Sequence, residues 1–192
     1  FQYGHLLYKL GGGTFNECIN ILSSYIQNYP DSERNGDVQD MLIAAYFTSK
    51  DYIKALDAIN KLPNPDSQQL AAKQHILVLW GMDAFENNDF DKAEAVFKEA
   101  EQIRVSPKYR ILSNFWLGEI EYKRGNYDNA IKYFDYYVRC APAEENEYKK
   151  ALYNLGYAHF VKQPNNLSKS DAYFKEFIRL HSAKDGYRAD AF

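Results

Sequence analysis

The sequence predicts an all-α fold built as an array of stacked helix pairs. Three observations predict it. First, a turn residue, then an aromatic, then a small residue three places on, recurs along the chain. The copies are Gly13-Thr14-Phe15 with Cys18, Lys50-Asp51-Tyr52 with Ala55, Asn88-Asp89-Phe90 with Ala93, and Gly125-Asn126-Tyr127 with Ala130. The anchors Phe15, Tyr52, Phe90 and Tyr127 lie 37, 38 and 37 residues apart. A fixed period in this range marks units that bury their apolar faces against their neighbours. Second, the segments between these boundaries have helical periodicity. Ile111, Phe115, Gly118 and Tyr122 share one face, and Ala130, Phe134, Tyr137 and Val138 share the next. Third, glycine and proline fall mostly at the boundaries, and no segment shows strand alternation.

In chain order, a helical tail runs to about Leu10. Helices follow near 14–28, 36–48, 52–61, 67–87, 90–103, 107–124, 127–140, 145–162 and 167–181, with a last one starting near 185. Punctuation supports them. Asp66 with Gln69 resembles a capping box. Ser106-Pro107 reads as N-cap followed by proline at the first helical position. Gly125 suits a left-handed helix end, and the Asn126 side chain suits an orphan N–H of the following turn. Pro30, Pro63, Pro65 and Pro142 sit in connections, and Pro164 in a turn between paired helices. The units divide at approximately 1–33, 34–66, 67–105, 106–144 and 145–182, with 183–192 starting a further helix. No linker or low-complexity tract interrupts this single array over 1–192, which reads as a fragment of a longer chain. Both ends are expected to leave unpaired helix faces, and end-to-end association is expected at high concentration.

The net charge of −3 and pI of about 5.8 give no basic field to draw in nucleic acid. No run of 18 or more apolar residues is present, so no membrane insertion is expected of this segment. The 17 Tyr and 12 Phe suit half-buried helices, because tyrosine packs its ring while keeping its hydroxyl wet. They also suit a binding groove.

One unit carries Leu117-Gly118, Gly125-Asn126-Tyr127, Ala130, Phe134 and Pro142 at fixed offsets. It resembles the tetratricopeptide repeat, a helix–turn–helix of 34 residues. Trp80-Gly81 with Ala93 and Phe97, and Leu155-Gly156 with Ser170 and Phe174, repeat the pattern. Ala55 with Ile59 and Cys18 with Leu22 repeat part of it, so four complete units and one headless unit cover nearly all of the chain. The resemblance implies a right-handed α-α superhelix, a solenoid of such pairs. It implies that the small residue sits where the helices cross and that the aromatic four later fills the gap to the next unit. Departures are Asn114 for the family's tryptophan, Glu121 for its tyrosine, and Leu42-Ile43 where a leucine-glycine step belongs. Tyr29-Pro30-Asp31-Ser32 is similar to connections in tetratricopeptide proteins of the bacterial cell envelope, such as periplasmic cell-division coordinators and outer-membrane assembly lipoproteins. A degenerate second copy spans Leu180-His181-Ser182-Ala183 and Tyr187–Ala191. A periplasmic or envelope location is therefore favoured over the cytoplasm.

No residues assemble into a catalytic set, and no cofactor or metal is expected. Gly11-Gly12-Gly13-Thr14 lacks phosphate-loop spacing and reads as a turn. His5, His75, His159 and His181 stand at no metal-ligand spacing, and His159 reads as a core or edge histidine near the groove face. The carboxylates read as solvated surface or helix-start residues. In the repeat, the first helix of each unit lines the concave side. The resemblance places there Val78, Met82 and Phe85, then Phe115, Glu119 and Tyr122, then Tyr153, Tyr157 and Phe160. Two readings stay open: these rings anchor an extended peptide or helix, or several of them pack against adjacent helices. The Lys and Asn that co-chaperone repeats use to hold a C-terminal carboxylate are missing, so apolar or basic segments fit better. The expected function is a non-catalytic scaffold for a partner protein or peptide. The alternative is a glycan or small-ligand binding helper of the cell envelope.

Overall fold

The computed structural model describes residues 2–10 and 15–180. Among the described residues there are ten helices and no strand. The chain divides into two compact units, one ending at Trp80 and the other beginning at Gly81. The first holds α1 (Gln2–Leu10), α2 (Phe15–Asn28), α3 (Asn35–Thr48) and α4 (Tyr52–Asn60). Helix α5 (Ser67–Glu86) contains the division. The second unit continues with α6 (Phe90–Gln102), α7 (Pro107–Lys123), α8 (Tyr127–Cys140), α9 (Asn146–Lys162) and α10 (Ser168–Leu180). These bounds fall within a residue or two of the expected ones. The 11–14 turn, the Phe15 side chain, the segment from 181 and the helix expected near 185 lie outside the described residues.

Three turns between paired helices are built alike. Lys50, Asn88 and Gly125 take left-handed backbone conformations, with φ of 58°, 60° and 76°. Their N–H groups donate to the carbonyls of Phe47, Phe85 and Tyr122. The next residues, Asp51, Asp89 and Asn126, donate to Tyr46, Ala84 and Glu121. This is the Schellman arrangement, which satisfies the last carbonyls of one helix. The same Asp51 and Asp89 then open the following helix, their carboxylates accepting from the backbone N–H of Lys54 and Lys92. Asn126 departs from expectation: it occupies the cap position, but its side chain makes no cap hydrogen bond. Ser106 likewise makes none, and Pro107 starts that helix. The capping box at α5 is formed in both directions, Gln69 N–H to Asp66 Oδ1 at 2.8 Å and Asp66 N–H to Gln69 Oε1 at 3.0 Å. In the Tyr29–Ser32 connection, Asn35 Nδ2 donates to the Tyr29 and Pro30 carbonyls, and the Tyr25 and Ser32 hydroxyls share a hydrogen bond.

Small residues stand at the helix crossings. Cys18, Ala55, Ala93, Ala130 and Ser170 are all buried. The aromatic four places on reaches the next unit, as Phe97 stacking on Trp116 at 6.0 Å shows, and also packs within its own. Phe97, Phe134 and Phe174 lie over the glycine of their own unit's first helix. A Cβ built on Gly81, Gly118 or Gly156 would fall 2.7–2.8 Å from those rings. Gly4 makes a fourth such step, its Cβ position 2.7 Å from Leu22. At the corresponding positions of the second repeat stand Ile43 and Ile59, and both are buried. Backbone and ring therefore approach closely where glycine allows it.

The family departures also acquire partners. Asn114 is buried, and its Nδ2 donates to the Arg110 carbonyl at 2.9 Å. Glu121 is buried between Arg124 and Asn129. Arg124 also binds Asp91 and Glu94 at 2.5 Å, tying α6 to α7.

Gly118→Ala should cost about 1–3 kcal/mol, because the buried Phe134 ring has no free space to yield. Gly36→Ala is the control: no atom lies within 4 Å of its Cβ position. It should be neutral or slightly stabilising. Urea melts compare the two; equal shifts would remove the ring fit as the cause. Lys50→Gly should raise stability by about 1 kcal/mol by relieving the left-handed backbone. An unchanged or lower midpoint would show that the turn carries no such strain.

Candidate functional site

Helices α7 and α9 each present residues at i, i+4 and i+7, which share one helix face. On α7 these are Phe115, Glu119 and Tyr122; on α9 they are Tyr153, Tyr157 and Phe160. The two helices expose them to different degrees. Phe115 is buried, with its ring 5.2 Å from Tyr137 and 5.9 Å from Phe134. Tyr153 is half-buried against Phe174 and Phe177 of α10. Tyr122 is half-buried, and its ring lies 6.0 Å from Tyr157 and 5.7 Å from Tyr127. Tyr157 is 40% exposed and Phe160 46% exposed, with their rings 6.4 Å apart. The result is a strip from Tyr122 through Tyr157 to Phe160. On α5, Val78 is buried in the first compact unit. In the second unit Met82 is half-buried, and Phe85 packs on Phe90 and Trp116. Both open readings thus apply, residue by residue: some of these rings are core, and others face outward.

The acid of the groove is already engaged. Glu119 is 2% exposed; its Oε1 accepts from Asn154 Nδ2 at 2.5 Å, and its Oε2 pairs with Lys150 Nζ at 2.6 Å. A buried carboxylate needs such partners, since an unpaired charge would be strongly penalised. Lys150 Nζ also stands 5.7 Å from the Phe115 ring centroid and 6.0 Å from that of Trp116, within cation–π range. Sequence reasoning missed Lys150 and Asn154. They lie more than thirty residues from Glu119, and no local spacing marks that pairing. It also missed Val161 and Leu167, which are exposed beyond Phe160. Burial chiefly, then the neighbouring tyrosines and Glu119, push the Tyr122 hydroxyl far above its ordinary range. It is a neutral group at working pH.

His159 is buried, and its ring stacks on Tyr173 at 5.6 Å. The Tyr173 hydroxyl donates to Asp135 Oδ1 at 2.7 Å. Burial lowers the His159 pKa, Lys169 lowers it further, and Asp135 acts in the opposite direction. Among the described residues no cluster of three His, Cys, Asp or Glu is placed to hold a metal ion. No described helix is long and apolar enough to cross a membrane.

Residues 78–145 match the sequence model of the tetratricopeptide repeat family. No curated protein matches the chain. The C-terminal part of a TPR repeat-containing protein from Cytophaga hutchinsonii has a similar fold, with a TM-score of 0.55. Identity is 20%, and the alignment covers 99% of this chain and 69% of that one. The matched segment lies in the middle of the chain, and the solved structure shares the stacked-helix fold over nearly all of it.

The lowered His159 pKa has a stability consequence. An unfolded histidine titrates near 6.5. Below that value the unfolded chain binds a proton that the folded site resists, so stability falls with pH. The contribution is complete above about 6.5 and declines as pH drops toward the folded value. Urea midpoints at pH 7.5 and 5.5 measure the loss. His159→Gln should lose less between them than the unsubstituted chain, and an equal loss would assign the effect to other groups.

Proposed function

We propose that this chain is a tetratricopeptide-type, non-catalytic scaffold that holds an extended apolar segment of a partner protein against Tyr122, Tyr157 and Phe160. The observation that carries the reading is the pair of outward rings, Tyr157 and Phe160, backed by the half-buried Tyr122. Exposed aromatics supported by packed neighbours are the usual anchors of protein interfaces. The segment is apolar rather than basic because both oxygens of Glu119 are bonded within the chain. Val161 and Leu167 are further exposed apolar side chains of the second unit. Met82 and Phe85 are a second contact region, while Phe115, Glu119 and Tyr153 are committed to neighbours within the second unit and Val78 is buried in the first, so these four are not contacts.

The compartment proposed with this function is the bacterial cell envelope, supported by the likeness of Tyr29-Pro30-Asp31-Ser32 to connections in envelope proteins of this family. Fractionation of the source cell tests that part separately; recovery in the cytosol alone would end it.

The function is tested by capture from cell extracts, with the unsubstituted chain beside Tyr157→Glu, read by mass spectrometry. Loss of a central aromatic anchor costs on the order of 2 kcal/mol or more, about thirtyfold in affinity. A protein enriched by the unsubstituted chain and lost with Tyr157→Glu, at unchanged helical circular dichroism, is the expected result. Equal capture by both would remove the strip from the function.

A further inference from the structure

A second concavity, sharing no residue with the aromatic strip, opens in the second compact unit. It is a cleft of about 510 Å³ between the first turns of α7, the last turn of α8 and the start of α9. That volume lies within the range of small-molecule sites, roughly 300–1,000 Å³. Ile111 and Leu112 line it from α7, and Ala141 and Pro142 line it from the connection after α8. Tyr137 also lines it. This residue is 2% exposed, its ring packs on Phe115 at 5.2 Å, and its hydroxyl makes no hydrogen bond with a described residue. The hydroxyl is not sealed from solvent, so a ligand that displaced water here would need a polar atom to replace it. Burial, then the nearby carboxylates of Glu147 and Glu145, hold that hydroxyl protonated far above the ordinary tyrosine range. Charge at the cleft comes from Glu145 and Glu147 against the single ammonium of Lys108.

An organic anion entering here would meet two carboxylates. A neutral hydrocarbon would leave the Tyr137 hydroxyl unsatisfied. We propose that this cleft is a binding site for a small organic amine, its apolar body between Ile111, Leu112 and Pro142 and its ammonium among Glu145, Glu147 and the Tyr137 hydroxyl.

The cleft contains its own reporter. Cys140 lines it and carries an exposed free thiol, whereas the other cysteine, Cys18, is fully buried. The rate of Cys140 modification by an aromatic disulfide reagent therefore reads occupancy. The probes are phenethylamine and 3-phenylpropanoate, which share ring and chain but carry opposite charge. Phenethylamine should slow the thiol reaction saturably, and 3-phenylpropanoate should not. Glu147→Gln and Tyr137→Phe should each weaken half-saturation by up to about tenfold, the range of one hydrogen bond to a charged group. Leu112→Trp should fill the cleft and abolish the protection, with helical circular dichroism confirming the fold. Isothermal titration of phenethylamine into the unsubstituted chain gives a readout independent of the thiol. No protection and no heat at tens of millimolar amine would overturn the proposal. So would equal protection by the carboxylate probe, or protection unchanged in both Glu147→Gln and Tyr137→Phe.

Discussion

The helix pairs of the second unit depend on the close approach of a glycine backbone to a phenylalanine ring. Gly81, Gly118 and Gly156 each leave the space that Phe97, Phe134 and Phe174 occupy. Interiors pack densely enough that a single methyl group at such a step must displace something. The ring fixes how near the second helix of a pair comes to the first. That distance in turn lets Ala93, Ala130 and Ser170 sit buried at the crossings.

The turns complement this packing. A Schellman closure followed at once by a capping residue lets one short segment end a helix and begin its partner. Carbonyls of the first helix are satisfied by Asp51, Asp89 and Asn126, and two of these residues then cap the second helix with their carboxylates. Helix pairs with so brief a connection have little freedom in how they pack. The faces they present outward are then fixed with them.

The outward face of α7 and α9 is divided between support and exposure. Phe115 and Tyr153 are committed to neighbouring helices, and Glu119 is held by Lys150 and Asn154. This leaves Tyr157 and Phe160 as the most exposed rings of these two faces, backed by packed neighbours. A rigid aromatic anchor loses little conformational freedom when a partner binds, which makes such a strip an efficient contact surface. The cleft at Tyr137 differs in kind, being concave, flanked by carboxylates, and sized for a small molecule.

Helix positions, the period and the small-residue crossings were legible in the sequence because each rests on interactions within about one unit. A left-handed turn at Gly125, a capping box at Asp66 and helical periodicity are local and leave local signatures. Gly4 was less visible, because its partner Leu22 is aliphatic where Gly81, Gly118 and Gly156 face phenylalanines. Which residues face outward was not legible. Phe115 and Tyr157 are both aromatics on groove positions of first helices, yet one is buried and the other exposed. Their difference comes from neighbours on other helices, Phe134 and Tyr137 in one case and Tyr122 in the other. The pairing of Glu119 with Lys150 and Asn154 likewise joins two units across more than thirty residues. The sequence by itself determined the helices, their turns and the repeat. The tertiary structure alone decided which side chains are core, which charges are already paired, and which rings remain for a partner, because burial and pairing are set by contacts between units that no local pattern encodes.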